Sequence, residues 1–207
     1  MADFSRHQPA VEWAVASRPV AGQPVSGDLP VVVLFDHGAL LGVVDGVGHG
    51  DGAAAAARAA VDVLANHARE PVVPLMQRCH RALAQTRGAV ATLASVETVN
   101  GVVNWLGVGN VEGRLLRLSP DGRPPTESVL LRSGLVGLQL PTLQPEIMPV
   151  ARGDLLVLAT DGISPGFEAA IRPDESPRDF AHRILDRHFR GTDDALVLVA
   201  RYLGSAP

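Results

Sequence analysis

Apolar residues along the chain occur mainly in short runs separated by turn residues, a pattern typical of β-strands. The run at residues 31–35 is followed by the hairpin signal Asp36-His37-Gly38 and by a second run at residues 39–44. These two runs are predicted to pair antiparallel. Later runs predict an antiparallel meander rather than a βαβ series, with strands at residues 89–97, 102–108, 114–118, 128–131 and 146–150.

Three stretches are predicted to be helical instead. Residues 52–67 contain five consecutive alanines, whose high helix propensity and small side chains favour a helix packed closely on a sheet. Residues 71–87 predict a second helix. A third is predicted to start at Ser176, since a serine cap, a first-turn proline and Asp179 form a helix-start signal. Strands are further predicted at residues 11–20, 154–160 and 195–202.

The length of 207 residues and the 46% hydrophobic composition fit one globular domain, residues 1–207. A net charge of -4 with dispersed basic residues favours neither nucleic acid nor an anionic membrane as partner. No signal-like N-terminus or membrane-length apolar run is present, so we expect a soluble cytoplasmic protein. The lone Cys79 excludes an internal disulfide and is interpreted as a buried structural thiol, with a catalytic thiol as the alternative.

A glycine-rich turn connects the apolar run ending near Asp45 to the first predicted helix. Such a turn can cradle phosphate through backbone N–H groups, and this one loosely resembles a dinucleotide fingerprint. A carboxylate at its mouth would instead repel a pyrophosphate and favour a hard divalent cation. The turn alone therefore leaves three interpretations open: a nucleotide site, a metal site, or a structural turn with a capping aspartate.

Four aspartates together favour the metal site over the other two interpretations, because each lies at the start or end of an apolar run, beside a glycine or another aspartate. A single strand-end aspartate is commonly a turn former. The predicted pairing of residues 31–35 with 39–44 brings two of the four to neighbouring strand ends, where carboxylates could share a metal site. The four are Asp28, Asp45, Asp161 and Asp194.

The four acids lie in the motifs Ser26-Gly27-Asp28, Asp45-Gly46-Val47-Gly48-His49-Gly50, Thr160-Asp161-Gly162 and Asp193-Asp194-Ala195. In these motifs the chain resembles the metal-dependent serine/threonine phosphatases of the protein phosphatase 2C (PPM) type. The resemblance covers nearly the whole chain and is greatest to the bacterial branch of SpoIIE, RsbU and the small RsbX-type phosphatases of the stressosome pathway.

The resemblance implies an α+β fold, an α-β-β-α sandwich of two antiparallel sheets flanked by helix pairs, with two Mn²⁺ or Mg²⁺ ions at one end. Asp45 would bridge both ions and the Gly46 carbonyl would bind one of them. Asp161 and Asp194 would bind the other, and Asp28 would be a direct or water-mediated ligand. Such ions lower the pKa of a water that attacks phosphorus.

Further residues follow from the same resemblance. His49 is implied as general acid, with a turn-stabilising role as the alternative. Asn110 stands where many relatives have an aspartate that helps hold another metal, so a third ion is not expected. Arg18 is the candidate for the arginine that binds substrate phosphate.

The function implied is hydrolysis of phosphoserine and phosphothreonine in proteins. Substrates in phosphorylated STAS-domain proteins of a stressosome-like module would make the chain a negative feedback regulator of stress signalling. Two alternatives stay open: a catalytically silent phosphatase-like binding module, and a nucleotide-binding oxidoreductase. The second requires βαβ alternation after the glycine turn.

Overall fold

A computed structural model describes residues 9–118, 125–170, 172 and 174–204. Within these residues the elements are β1 (Val11–Arg18), β2 (Asp28–Phe35), β3 (Gly38–Gly46), α1 (Asp51–Asn66), α2 (Val72–Ala82), β4 (Ala89–Glu97), β5 (Val102–Val108), β6 (Glu112–Leu116), β7 (Thr126–Ser128), β8 (Leu131–Arg132), β9 (Glu146–Pro149), β10 (Leu155–Ala159), α3 (Pro177–His188) and β11 (Ala195–Tyr202), with a 3-10 turn at Phe167–Ala170.

The strands form two sheets. The first has the order β1-β11-β10-β6-β7, and the second has the order β2-β3-β4-β5-β8, with β9 also pairing with β5. All described pairs between strands are antiparallel except the short parallel pair of β5 and β8. The central strands are apolar on both faces because each sheet is covered on both sides.

Three apolar layers hold the sandwich together. Leu41, Trp105 and Leu158 are among the buried residues between the two sheets. Helices α1 and α2 cover the outer face of the second sheet, where the small alanines of α1 allow close packing. Helix α3 covers the first sheet through Phe180 and Ile184. The predicted α+β sandwich is confirmed, although the helical layer on the first sheet consists, among the described residues, of α3 and the 3-10 turn.

Some local predictions were wrong. The predicted strand at residues 128–131 divides into β7 and β8, which lie in different sheets, because the chain crosses the sandwich there. The predicted single meander is therefore divided between two sheets. Helix α2 ends at Ala82 rather than near Arg87, since the Leu83 carbonyl accepts the Thr86 backbone N–H and hydroxyl and turns the chain.

Other local predictions are confirmed. Ser176 caps α3, and its hydroxyl oxygen accepts the Asp179 backbone N–H at 3.1 Å. Strand β1 follows the predicted first run but stops at Arg18, before a proline that lacks the N–H a sheet needs. Among the described helices, none has the length and apolar character required to cross a bilayer.

Candidate metal centre

The hairpin of β2 and β3 brings Asp28 and Asp45 together. They are directly opposed in the register, which confirms the prediction that they lie at neighbouring strand ends. Asp28 is buried, and its Oδ2 accepts the Thr160 hydroxyl at 2.7 Å. The same hydroxyl oxygen accepts the Leu196 backbone N–H at 2.8 Å. Thr160 therefore ties the Asp28 carboxylate to the first sheet across the sandwich.

The ends of β10 and β11 bring the later acidic motifs to this edge. A Cβ on Gly162 would lie 2.0 Å from the Asp194 carbonyl oxygen, so only glycine lets the two turns approach this closely. Asp161 is exposed, and its Oδ2 accepts the Asn110 side-chain amide at 2.7 Å. An aspartate at position 110 could not donate this hydrogen bond when ionised.

Asp194 and Asp193 have different surroundings. Asp194 is only 2% exposed, and its two carboxylate oxygens accept the backbone N–H groups of Val20 at 2.7 Å and Gly27 at 2.6 Å. It thereby holds the β1–β2 connection in place. Asp193 is exposed, and its charge acts on both Asp45 and Asp161.

Burial and mutual repulsion disfavour ionisation of these acids. Burial, followed by the charges of neighbouring aspartates, raises the pKa of Asp45 to about 8. Burial also raises the pKa of Asp28 to about 7, against the opposing effect of the Thr160 hydrogen bond. Although Asp161 is exposed, partial desolvation of its carboxylate and the charge of Asp193 raise its pKa, while Arg190 opposes the shift. The cluster is thus short of positive charge.

The glycine turn after Asp45 is built for close backbone contact. A Cβ on Gly46 would lie 2.1 Å from the Ala53 carbonyl oxygen, so a side chain there would displace helix α1. The Gly46 N–H donates to the Gly27 carbonyl at 3.0 Å, which joins the turn to the loop held by Asp194. His49 is exposed on this turn, two residues before the start of α1.

The donor chemistry fits Mg²⁺ or Mn²⁺. Carboxylate oxygens are hard ligands, and a cation would relieve the repulsion that raises their pKa values. Among the described residues, no three carboxylate, imidazole or thiol groups already converge on one point. Mg²⁺ commonly binds through one or two carboxylates and keeps several waters, so this spacing is compatible with it.

Two other predicted residues lie away from a catalytic role. Cys79 is buried in α2, where burial raises its pKa to about 12, so the structural interpretation of this thiol is confirmed and a catalytic thiolate is disfavoured. The guanidinium of Arg18 pairs with Asp186 at 2.9 Å and lies over the Phe189 ring. Those contacts hold the Arg18 guanidinium against α3 and the residue that follows it.

Two residues inside the sequence motifs have roles that the sequence alone does not reveal. Thr160 is the neighbour of Asp161 in its motif, yet its hydroxyl positions Asp28. Asp193 and Asp194 are adjacent aspartates, between which the sequence pattern does not distinguish. Since side chains alternate along an extended segment, one of the pair points inward and the other outward, and only the structure shows which.

The nucleotide interpretation of the glycine turn is not supported. A dinucleotide-binding unit needs parallel strands on either side of the helix. Here the strand after the two helices, β4, pairs antiparallel with β3 along its whole length.

Comparison with known proteins gives consistent matches. A family model described as Stage II sporulation protein E (SpoIIE) matches residues 36–203. Phosphoserine phosphatase RsbX of Bacillus subtilis (strain 168) is 24% identical over 164 residues, or 79% of this chain and 80% of RsbX.

Solved structures show the same fold. One similar chain comes from work on the bacterial stressosome, described as a modular system that has been adapted to control secondary messenger signalling. It is 29% identical with a TM-score of 0.83, and the match covers 92% of this chain and 99% of that one. The crystal structure of RsbX in complex with magnesium is 22% identical with a TM-score of 0.83, covering 95% of this chain and 99% of that one.

Proposed function

Since this chain belongs to the SpoIIE family of protein phosphatase 2C-type domains, we propose that it is a metal-dependent protein serine/threonine phosphatase. The observation that carries the proposal is the register of Asp28 opposite Asp45 in a cluster of acids where Arg190 acts on Asp161, but where no described basic side chain is among the main influences on Asp28 or Asp45. A binding module would have no need for such an arrangement, because uncompensated buried carboxylates destabilise a fold.

Divalent cations held at this edge would supply a water of lowered pKa and would stabilise the charge that develops on phosphate. We propose that Asp45 and the Gly46 carbonyl would hold such ions, with Asp28 as a direct or water-mediated ligand. Asp161 is the further ligand on the side of β10, where Asn110 orients its carboxylate.

For the last ligand we propose Asp193 in place of the Asp194 assigned from the sequence. Both oxygens of Asp194 accept backbone N–H groups of the β1–β2 connection, and removing them would release it, whereas Asp193 accepts one backbone N–H, that of Asp194, at its Oδ1. Asp193 is exposed beside Asp161, and the two charges interact. Asp194 then serves as the support that holds Gly27 against the glycine turn.

The substrate proposal rests on likeness to relatives. RsbX is named a phosphoserine phosphatase, and another similar chain comes from work on the stressosome. We infer that phosphorylated STAS-domain proteins of a stressosome-like complex are the substrates, and that the chain is a cytoplasmic negative feedback regulator. A phosphorylated STAS-domain protein should then have a higher kcat/KM than an unrelated phosphoserine protein.

The direct test measures phosphate release from a phosphoserine protein with Mn²⁺, with EDTA and with the Asp45→Asn variant. We expect release only by the wild type with the cation, and a loss of at least about 10³-fold in the variant. Activity that survives both EDTA and the substitution would sink the metal-dependent mechanism. Calorimetric Mn²⁺ binding without turnover on any phosphoserine substrate would instead favour the silent binding module.

A further inference from the structure

A surface beside the acidic cluster combines one cation with two exposed apolar side chains. Arg87 lies over the glycine turn: a Cβ on Gly52 would be 2.9 Å from the Arg87 Cζ, and one on Gly48 would be 3.4 Å from its Nη1. Glycine at these positions therefore makes room for the guanidinium. Val47 and Leu138 both lie against Gly88, the residue after Arg87, and we call Arg87, Val47 and Leu138 the rim.

The backbone beneath Arg87 is fixed. After α2 ends, the Thr86 hydroxyl donates to the Leu83 carbonyl at 2.8 Å and accepts the Gly88 N–H at 3.0 Å. The Val47 N–H donates to the Gly88 carbonyl at 3.1 Å. Because Val47 is two residues beyond Asp45, the rim is continuous with the proposed active site.

Leu138 is held in the rim from the other side. Val136 and Ala89 exchange backbone hydrogen bonds of 2.8 and 3.0 Å, and the Gly137 N–H donates to His80 Nδ1 at 3.0 Å. The Leu138 Cδ1 lies 2.6 Å from where a Cβ on Gly88 would be. Although so placed, Leu138 is 59% exposed and Val47 is 38% exposed.

Arg87 has no internal role that would account for its position. Within the described part of the chain its guanidinium makes no hydrogen bond or ion pair, unlike Arg18, which is paired with Asp186. A free cation on a rigid apolar surface is suited to a carboxylate that arrives with a ligand. Close to a cluster of aspartates, such a cation is also what an acidic ligand requires in order to approach.

We propose that the rim binds the polypeptide of the phosphoprotein substrate next to its phosphoserine: Arg87 pairs with a carboxylate near the phosphoserine, and Val47 and Leu138 pack against an apolar neighbour. The inference rests on the proposed phosphatase function and adds a substrate preference to it. Arg87 contacts the turn rather than the carboxylates, so its partner is the flanking chain and not the phosphate itself.

The test compares two phosphoserine peptides that differ only in carrying Asp or Asn on both sides of the phosphoserine. With Mn²⁺ the wild type should hydrolyse the Asp peptide with the higher kcat/KM. Arg87→Ala should reduce the ratio of the two kcat/KM values by about three- to fivefold, as for an exposed charge pair, and high salt should reduce it in the wild type. The matched control is Arg178→Ala, at an exposed arginine in the first turn of α3, which should keep the wild-type ratio.

A second variant guards against a local effect of removing Arg87 from the glycine turn. Leu138→Glu adds a negative charge at an exposed position of the rim and should also lower the preference for the Asp peptide. Equal losses on both peptides in Arg87→Ala would overturn the proposal in favour of direct phosphate binding. A wild type without preference would overturn it too, whereas a wild type that hydrolyses neither peptide nor p-nitrophenyl phosphate would overturn the phosphatase function itself.

Discussion

Strand β10 has an aspartate beyond each end, and the two have opposite surroundings. Asp154, before the strand, is buried against Arg117, with 3.0 Å between its Oδ2 and the Arg117 Nη1. Asp154 also accepts the Ala151 backbone N–H at 2.9 Å. Asp161, after the strand, is influenced by the charge of Asp193 and in the opposite sense by Arg190, and its described side-chain hydrogen-bond partner is the neutral amide of Asn110.

The difference shows where the molecule supplies its own counter-charge and where it does not. Arg117 also pairs with Glu127 and donates to the Pro149 carbonyl at 3.0 Å, so this buried guanidinium is enclosed by oxygen acceptors. At the opposite end Asp28 and Asp45 have raised pKa values, and burial is the main cause. One end is neutralised from within, whereas at the other the proposed metal ions would supply the missing positive charge.

The largest stability effect is expected at the end that is neutralised from within. Arg117→Ala should lower the free energy of unfolding by about 3–5 kcal/mol, because it leaves Asp154 buried without its cation. Urea denaturation in the presence of EDTA measures this without interference from bound metal. The Mn²⁺ concentration for half-maximal activity should not change.

The control for that variant is Arg114→Ala on the same side of the sandwich. Arg114 pairs with Glu112 in a more accessible position, with 3.1 Å between the charged groups, so its loss should cost under about 1 kcal/mol. If the two variants are equally stable, the counter-charge at Arg117 has no special importance and the contrast between the two ends fails.

The next effect separates the adjacent aspartates at the acidic end. Asp193→Asn should lower kcat/KM by about a hundredfold and raise the Mn²⁺ requirement while leaving unfolding nearly unchanged, since its side chain is exposed. Asp194→Asn should lower the free energy of unfolding by about 2 kcal/mol, because Asn has only one acceptor oxygen for two backbone N–H groups. The reverse pattern would restore Asp194 as the ligand.

Much of this site could be predicted from the sequence because its signals are local. Turn residues and apolar runs gave the hairpin of β2 and β3, and the hairpin register alone places Asp28 opposite Asp45. The crossing between sheets after β7 could not be predicted in this way, because pairing partners distant along the chain decide it. The position of Arg87 also depends on tertiary contacts, since helical periodicity alone predicted a helix that continues to residue 87.

The pH dependence of the metal-free protein tests the raised pKa values. Between the ordinary aspartate pKa of 3.8 and the values of about 7 and about 8 in the fold, the native state binds more protons than the unfolded chain. The contribution of these two groups to the free energy of unfolding should therefore be fully present below about pH 4 and should be lost as the pH rises to 8. From pH 5 to pH 8 in EDTA, the Tm of the wild type should fall by about 5 °C more than that of Asp45→Asn.

Saturating Mg²⁺ is the control for that measurement. The cation replaces the protons, so the wild type should regain stability at pH 8 and Asp45→Asn should regain less. A wild-type Tm in EDTA that stays level or rises from pH 5 to pH 8, relative to Asp45→Asn, would contradict the idea that this end lacks positive charge.

The smallest effect is expected for His49, which is exposed on the glycine turn. A general acid matters most when the leaving group is poor, so His49→Ala should slow phosphoserine hydrolysis about tenfold more than p-nitrophenyl phosphate hydrolysis. Water can replace an exposed acid in part, which keeps the expected factor low. Equal slowing of both substrates, together with a lower Tm, would mean that His49 stabilises the turn and that the acidic end acts without this residue as its proton donor.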